Sequence, residues 1–373
     1  MREPQDILAY VATCREPFSE RPYSDADALV LSALAYYHFE DVPAIAGGKA
    51  PVRVSGLLGL APIETYAQRM FGEKNMRHLL AAIVESPRFG ALELEHFVYC
   101  VCEDIVAQFS AVTFRIPQDG GCEELCIAFR GTDIEQLAWN EDFNLCVLPA
   151  IPSELFAATY LESVVQVHPR SRIHLTGHSK GGTLAEFACV TADDGHAGHI
   201  EEVVAFDAPG LSCLGSRACP EFIERDADIE LLQHEREALL RKYVFPAMLG
   251  LLLETRPPDQ MPMVDTSGSG GGHDVFTPKI VEGNVQTAEY SERTLRRGLW
   301  VNRWVSRLSL AERRAVIDCA FDAFGSGAHS FVFRGAQDVL SVLSSLARGR
   351  LHLPRAQSRL VNRACSKLRR ALF

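Results

Sequence analysis

At 373 residues, 47% of them hydrophobic and 23% charged, the chain carries enough apolar material for a large core, which excludes a disordered or collagen-like polypeptide. A net charge of -11 argues against nucleic acid as a partner, although residues 348–373 hold eight basic residues and no acidic one. Eleven cysteines, an odd number scattered along the chain, point to reduced thiols and a cytoplasmic setting.

The N-terminus, MREPQDILAY, carries Glu3 and Asp6 and lacks an apolar run of signal-peptide length. The most apolar later stretches, near residues 29 and 245, fall short of the ~18 residues that a membrane-spanning helix needs, so no span is expected. Asp25 is placed to cap a helix through ALVLSALAYYHFE. Residues 42–90, punctuated by glycines, read as a helical layer with one helix around Arg77–Val84. The period then changes. QFSAVTFRI and CEELCIAFRG, separated by Asp119-Gly120-Gly121, predict a β-hairpin.

A helix is predicted from Ile151 to His168, followed by the strand RIHLTG, the helix GTLAEFACV and the strand EEVVAF. Strand, helix, strand at this spacing is the crossover unit of a parallel sheet. The charged segment Glu221–Arg241 reads as a solvated helix, and residues from about 288 onward as helical. The basic C-terminal stretch reads as a charged helix covering the main domain, with peripheral membrane contact as the alternative. Two regions are expected, 1–287 and 288–373, the second a helical addition packed on the first.

Gly177-His178-Ser179-Lys180-Gly181 matches G-x-S-x-G between a predicted strand and a predicted helix. A sharp strand-to-helix turn needs glycines because neighbouring backbones approach closely, and it leaves Ser179 at the apex beside helix N–H groups. These residues point to an α/β-hydrolase fold with a mostly parallel central sheet flanked by helices. Thr132, after the strand CIAF, is the candidate second oxyanion donor beside the N–H of Lys180. His273, after Gly270-Gly271-Gly272, is the candidate base, since His234 sits in a charged segment and His329 in the terminal helices. His178 adjoins the serine, is poorly placed to be its base and reads as a neighbour that packs or shapes the pocket. For the acid, Asp207 follows a strand, and Glu254 and Asp265 are alternatives between Ser179 and His273. No metal is implied: Cys100 and Cys102 are too close together, and Cys122 and Cys126 lack matched histidines.

SDADALVLSALAYYHFE, QFSAVTF, AFRGTDIEQLAWNEDFNL, LTGHSKGGTLAEFA, FDAPG and GGHDVF, spread over residues 24–275, resemble a bacterial lipase-like α/β-hydrolase family, first described as a domain of unknown function and related to class 3 lipases. The resemblance implies Ser179 as nucleophile, Lys180 and Thr132 in the oxyanion hole, His273 as base and no cofactor. In class 3 lipases the acid follows the next strand, yet YVFPAMLG has no aspartate, so Asp207 takes the role, or the triad is altered, or the chemistry is weak. Trp139, Glu141 and Asp142 also match the family pattern, and carboxylates near a pocket disfavour anionic substrates. The expected activity is carboxylic ester hydrolysis on a small-molecule or lipid ester. Thioesterase or peptidase chemistry is the alternative, and a regulatory or binding module is a second.

Overall fold

The computed structural model describes residues 3–48, 50–67, 71–119, 123–211, 234–245, 262–266, 272–289, 304–305, 307–324 and 354–372. Among these, seven strands form one sheet in chain order: β1 (Val52–Arg53), β2 (Glu93–Cys102), β3 (Ala107–Ile116), β4 (Glu124–Phe129), β5 (Arg172–His178), β6 (Ile200–Phe206) and β7 (Leu240–Tyr243). β1 to β4 pair antiparallel, and β4 to β7 pair parallel. A separate pair, β8 (Ile280–Val281) and β9 (Asn284–Val285), lies near the N-terminus, where Gln5 and Ile280 exchange backbone hydrogen bonds of 2.9 and 2.8 Å.

Side-chain alternation along the strands builds two cores, one on each face. Leu125, Ile127 and Phe129 of β4, with Leu175 of β5, face helices α5 (Pro152–Val167) and α6 (Lys180–Thr191). Cys126 and Ala128 face the other way, joining α1 (Ile7–Thr13) and α2 (Asp25–Leu34). Every residue of α2 is buried, so its polar groups must be satisfied internally. Asp27 takes the fully buried Arg88 guanidinium in a bidentate contact of 2.9 and 2.7 Å, and Tyr10 Oη donates to it at 3.0 Å. Removing either member of that pair would cost about 3–5 kcal/mol, because it strands a buried charge.

The N-cap of α2 is Ser24, one residue before the expected cap, and its backbone N–H donates to Asp27 Oδ2 at 2.9 Å. Asp25 is instead taken by Arg241 and the Tyr243 hydroxyl. The expected hairpin is β3–β4, but β2, paired along the outer side of β3, was not anticipated. The stretch 42–90 holds α3 (Glu73–Glu85) and also β1. Of the charged segment Glu221–Arg241, residues 221–233 lie outside the described residues, and its end is not helical: Leu240 and Arg241 open β7, where pairing with Val203 and Val204 overrides the charged composition. α4 (Gln136–Asn144) carries the WNEDF stretch. Toward the C-terminus, α7 (Leu310–Phe324) and α8 (Arg355–Leu372) share a small core of Ala315, Cys319 and Val361. Arg313 Nη1 ties α7 to the main body by donating to Cys146 O at 3.0 Å. Among the described residues, no helix is long and apolar enough to cross a membrane.

Candidate active site

The parallel register gathers the candidate residues. Phe129, Gly177, Ala205 and Lys242 are aligned across β4 to β7. The segments that leave this carboxyl edge, 130–132, 178–180 and 207, therefore emerge side by side, where ligands bind in open α/β sheets.

Ser179 has φ 59° and ψ -133°, a left-handed conformation that a non-glycine residue adopts only under constraint. Strain of this kind costs about 1–3 kcal/mol and is held by surrounding structure. Here Ser179 N–H donates to Phe206 O at 2.8 Å. A Cβ on Gly177 would fall 2.2 Å from the Gly181 carbonyl carbon, and one on Gly181 would fall 2.2 Å from Phe129 O. Both glycines of the motif are thus required by backbone contact.

Asp207 also has positive φ, 48°, fixed by its N–H donating to Tyr243 O at 2.6 Å. Its carboxylate is buried: Oδ1 accepts from Phe245 N–H at 2.8 Å, and Oδ2 lies 2.6 Å from His273 Nδ1. Burial raises the Asp207 pKa, and the His273 imidazole beside it works the other way. The far nitrogen of His273, Nε2, is buried without a hydrogen-bond partner. The expected hydrogen bond from Ser179 Oγ is therefore not made in this conformation, in which Ser179 is 2% exposed. Of the alternative acids, Asp265 sits in a backbone ladder with Gln286 and Lys279, and Glu254 lies outside the described residues.

Thr132 is fully buried. The turn that carries it is pinned by Arg130, whose guanidinium reaches Ala35 O, Tyr37 O and both Glu40 oxygens at 2.7–2.8 Å. Burial alone would raise the Glu40 pKa, but Arg130 and His38 overcome it and lower it to about 2. Gly131 lies against the elbow: a Cβ there would stand 2.1 Å from Tyr36 Oη and 2.5 Å from His178 O.

Lys180 opens α6, so its N–H has no acceptor within the helix. Its side chain turns inward to Gln108 O at 2.7 Å and Glu141 Oε2 at 2.8 Å. Glu141 also accepts the N–H groups of Gln108 and Ser153, which makes this buried pair a tie between α6, β3, α4 and α5.

The placements of Asp142, Tyr36 and the His178 ring were not readable from the sequence. Asp142, one turn of α4 from Trp139, is buried beside Thr132, and burial raises its pKa to about 6 against the opposing charges of Lys180 and His273 and the Thr132 hydroxyl. Tyr36 holds the ring of His178, its hydroxyl 3.1 Å from Nδ1 and 3.2 Å from the backbone oxygen. The His178 ring lies 4.5 Å from that of His273, and burial, then His273, drives its pKa well below the usual histidine value. Spacing alone carried no signal for Tyr36, which arrives from beyond the end of α2.

A central, mostly parallel sheet flanked by helices, with a strained serine turn between strand and helix at its carboxyl edge, is the α/β-hydrolase fold. Residues 83–322, more than half of the chain, match the Mbeg1-like family, and the chain belongs to it. No curated protein matches the chain. Among solved structures it is similar to M37 lipase, at 14% identity over 75% of this chain and 82% of that one, TM-score 0.38. It is also similar to extracellular lipase LipA from Serratia marcescens, at 15% identity over 61% and 39% of the two chains, TM-score 0.33. A lipase from Rhizopus microsporus var. chinensis is similar at 8% identity over 73% and 82%, TM-score 0.33. These likenesses are distant, and the functional reading rests on the residues instead.

Proposed function

We propose that the protein hydrolyses a carboxylic ester, an acyl lipid being the favoured class, through an acyl-enzyme on Ser179. The observation that carries this reading is the 2.6 Å contact between Asp207 and His273 Nδ1, which leaves Nε2 as a buried nitrogen without a partner. In the neutral ring the proton sits on Nδ1 and faces the carboxylate, so Nε2 offers a lone pair to the serine proton. As His273 takes that proton, Ser179 Oγ attacks the carbonyl carbon, and the oxyanion is met by the Lys180 N–H and by Thr132. His273 then gives the proton to the leaving alkoxide, and water, activated by the same nitrogen, releases the acid. Closing the gap between Ser179 and His273 belongs to substrate binding, since such contacts tighten in the loaded complex.

Residues 1–287 form the catalytic unit in this reading, and 288–373 a helical addition. Peripheral membrane contact through α8 is supported by Arg355, Arg359 and Arg363, exposed at four-residue spacing. A cytoplasmic setting is supported by the thiols of Cys14, Cys100, Cys102, Cys126, Cys146 and Cys189, which are not joined in disulfides.

The test is labelling by a fluorophosphonate in wild type and in Ser179→Ala, followed by an ester panel graded by acyl length. Labelling of wild type alone is expected. Equal labelling of both, or of neither with the fold intact, sinks the assignment and favours a non-catalytic binding role.

A further inference from the structure

Away from the serine, two imidazoles and a carboxylate meet where β2 passes the junction of α5 and β5. β2 shifts register between Glu95 and Val98, and His96 sits in that bulge with φ 51°. Bulges re-aim side chains. His168 is the C-cap of α5, just before β5. The Nε2 atoms of His96 and His168 are 3.1 Å apart with the rings at 87° to each other, so they meet tip to tip without stacking. His168 Nε2 is also 3.2 Å from Glu95 Oε1, and the three atoms all lie within 4.8 Å of one another.

Proton accounting makes this arrangement unusual. His168 Nδ1 lies 2.8 Å from Glu123 Oε2, a contact that favours the tautomer with the proton on Nδ1, in which Nε2 offers a lone pair. With the His96 ring proton on Nδ1, its Nε2 also offers a lone pair. Three lone-pair atoms then face one another. One shared proton satisfies a single pair, whereas a tetrahedral cation bound at about 2.0–2.1 Å holds its ligands about 3.3 Å apart and satisfies all three. Arg115 reaches the carboxylates from outside, 3.2 Å from Glu95 Oε2 and 3.5 Å from its Oε1, 3.1 Å from Glu123 Oε1 and 3.7 Å from Glu93 Oε2. Three carboxylates against one guanidinium leave the surroundings negative, which suits a divalent ion.

We propose that Glu95, His96 and His168 bind a divalent transition-metal ion, with zinc the best match to two imidazoles and a carboxylate, and that Glu123 orients His168 from behind. The ion ties β2 to the α5–β5 junction, at the end of β5 away from the elbow. Its fourth position is open to water or a ligand group, and His96 forms part of the wall of an adjoining groove of about 470 Å³ that includes Phe97, Phe109, Phe156 and Tyr160. The ligands are histidines 72 residues apart in the sequence, which is why a search by cysteine spacing implies no metal.

The full chain, stripped with a chelator and dialysed, is titrated with Zn²⁺ alone by calorimetry, with Tm followed in parallel. One equivalent per chain and a raised Tm are expected for wild type. His96→Asn and His168→Asn should each abolish that equivalent. Glu123→Gln should keep it at an affinity about 10–100-fold lower. His273→Asn, which alters the cluster with His178 and Asp207, should leave it unchanged. X-ray absorption on zinc-loaded wild type requires no variant to fold, and should show two imidazoles in the first shell. Absence of stoichiometric zinc in wild type, its survival in both histidine variants, its loss in His273→Asn, or a first shell without two imidazoles overturns the proposal and leaves a plain ion-pair cluster. Every readout is independent of ester hydrolysis.

Discussion

Asp207→Asn probes the proposed mechanism most sharply, because the surrounding backbone dictates how the amide must sit. Phe245 N–H donates to Asp207 Oδ1 at 2.8 Å, so the asparagine oxygen must stay there and its NH2 must face His273 Nδ1, now 2.6 Å from Oδ2. Flipping the amide would leave the buried Phe245 N–H unsatisfied, at a cost of about 1–3 kcal/mol. Facing a donor, Nδ1 becomes an acceptor, and the ring proton moves to Nε2, the atom that must receive the serine proton. A wrong tautomer of this kind lowers kcat by roughly 10⁴-fold in serine hydrolases, equivalent to about 5 kcal/mol of barrier. The fold should survive. Burial raises the Asp207 pKa, so its stabilising protonation is present below the unfolded value and lost as pH rises through the folded one; at neutral pH the charge is a burden that asparagine removes. The assay is hydrolysis of the best ester from the panel, with Tm measured at pH 7. Activity within tenfold of wild type, in a variant no less stable, would refute the tautomer argument and with it the role of Asp207.

Other variants test the neighbouring groups. Thr132→Val should cost about 10²–10³ in kcat; unchanged kinetics would remove it from the oxyanion site. Asp142→Asn should stabilise the protein by on the order of 3 kcal/mol at pH 7, given a carboxyl raised from 3.8 to about 6, and the gain should shrink as pH falls through 6 toward 4. A pH-independent difference in Tm would contradict that assignment. Lys180→Met and Glu141→Gln should each destabilise by about 3–5 kcal/mol, and the double variant by less than their sum, as a double-mutant cycle on urea unfolding would reveal. Gly131→Ala, whose methyl would meet Tyr36 Oη at 2.1 Å and His178 O at 2.5 Å, should lose activity more than Thr132→Val does; an active alanine variant would mean the turn is free to shift.

The elbow was legible because its constraints are local. Glycines flanking Ser179 between a β-forming run and an apolar helix admit few other geometries, and the structure bears out both flanking elements. The β3–β4 hairpin was legible for the same reason, alternation and turn residues lying within one short window. β2 was missed because ELEHFVYCVC alternates poorly: its half-exposed side pairs charged and apolar residues, and its bulge breaks the period. β7 was missed because Leu240 to Tyr243 look like the tail of a charged helix until Val203 and Val204 provide a parallel partner.

By itself, then, the sequence determined the order of strands and helices around the elbow, the serine at its apex and the short set of acids and histidines from which a site could be drawn. Which of these meet is a matter of register. Aligning Phe129, Gly177 and Ala205 across three strands puts Thr132, Ser179 and Asp207 at one edge, and a positive φ at Asp207 turns its carboxylate to His273. The same packing sends the Lys180 side chain to Glu141 and brings His96 to His168, contacts between residues 39 and 72 positions apart that no local pattern encodes. Local sterics act within a few residues and can be read along the chain, whereas pairing between distant segments is settled only when the sheet and its two cores close together.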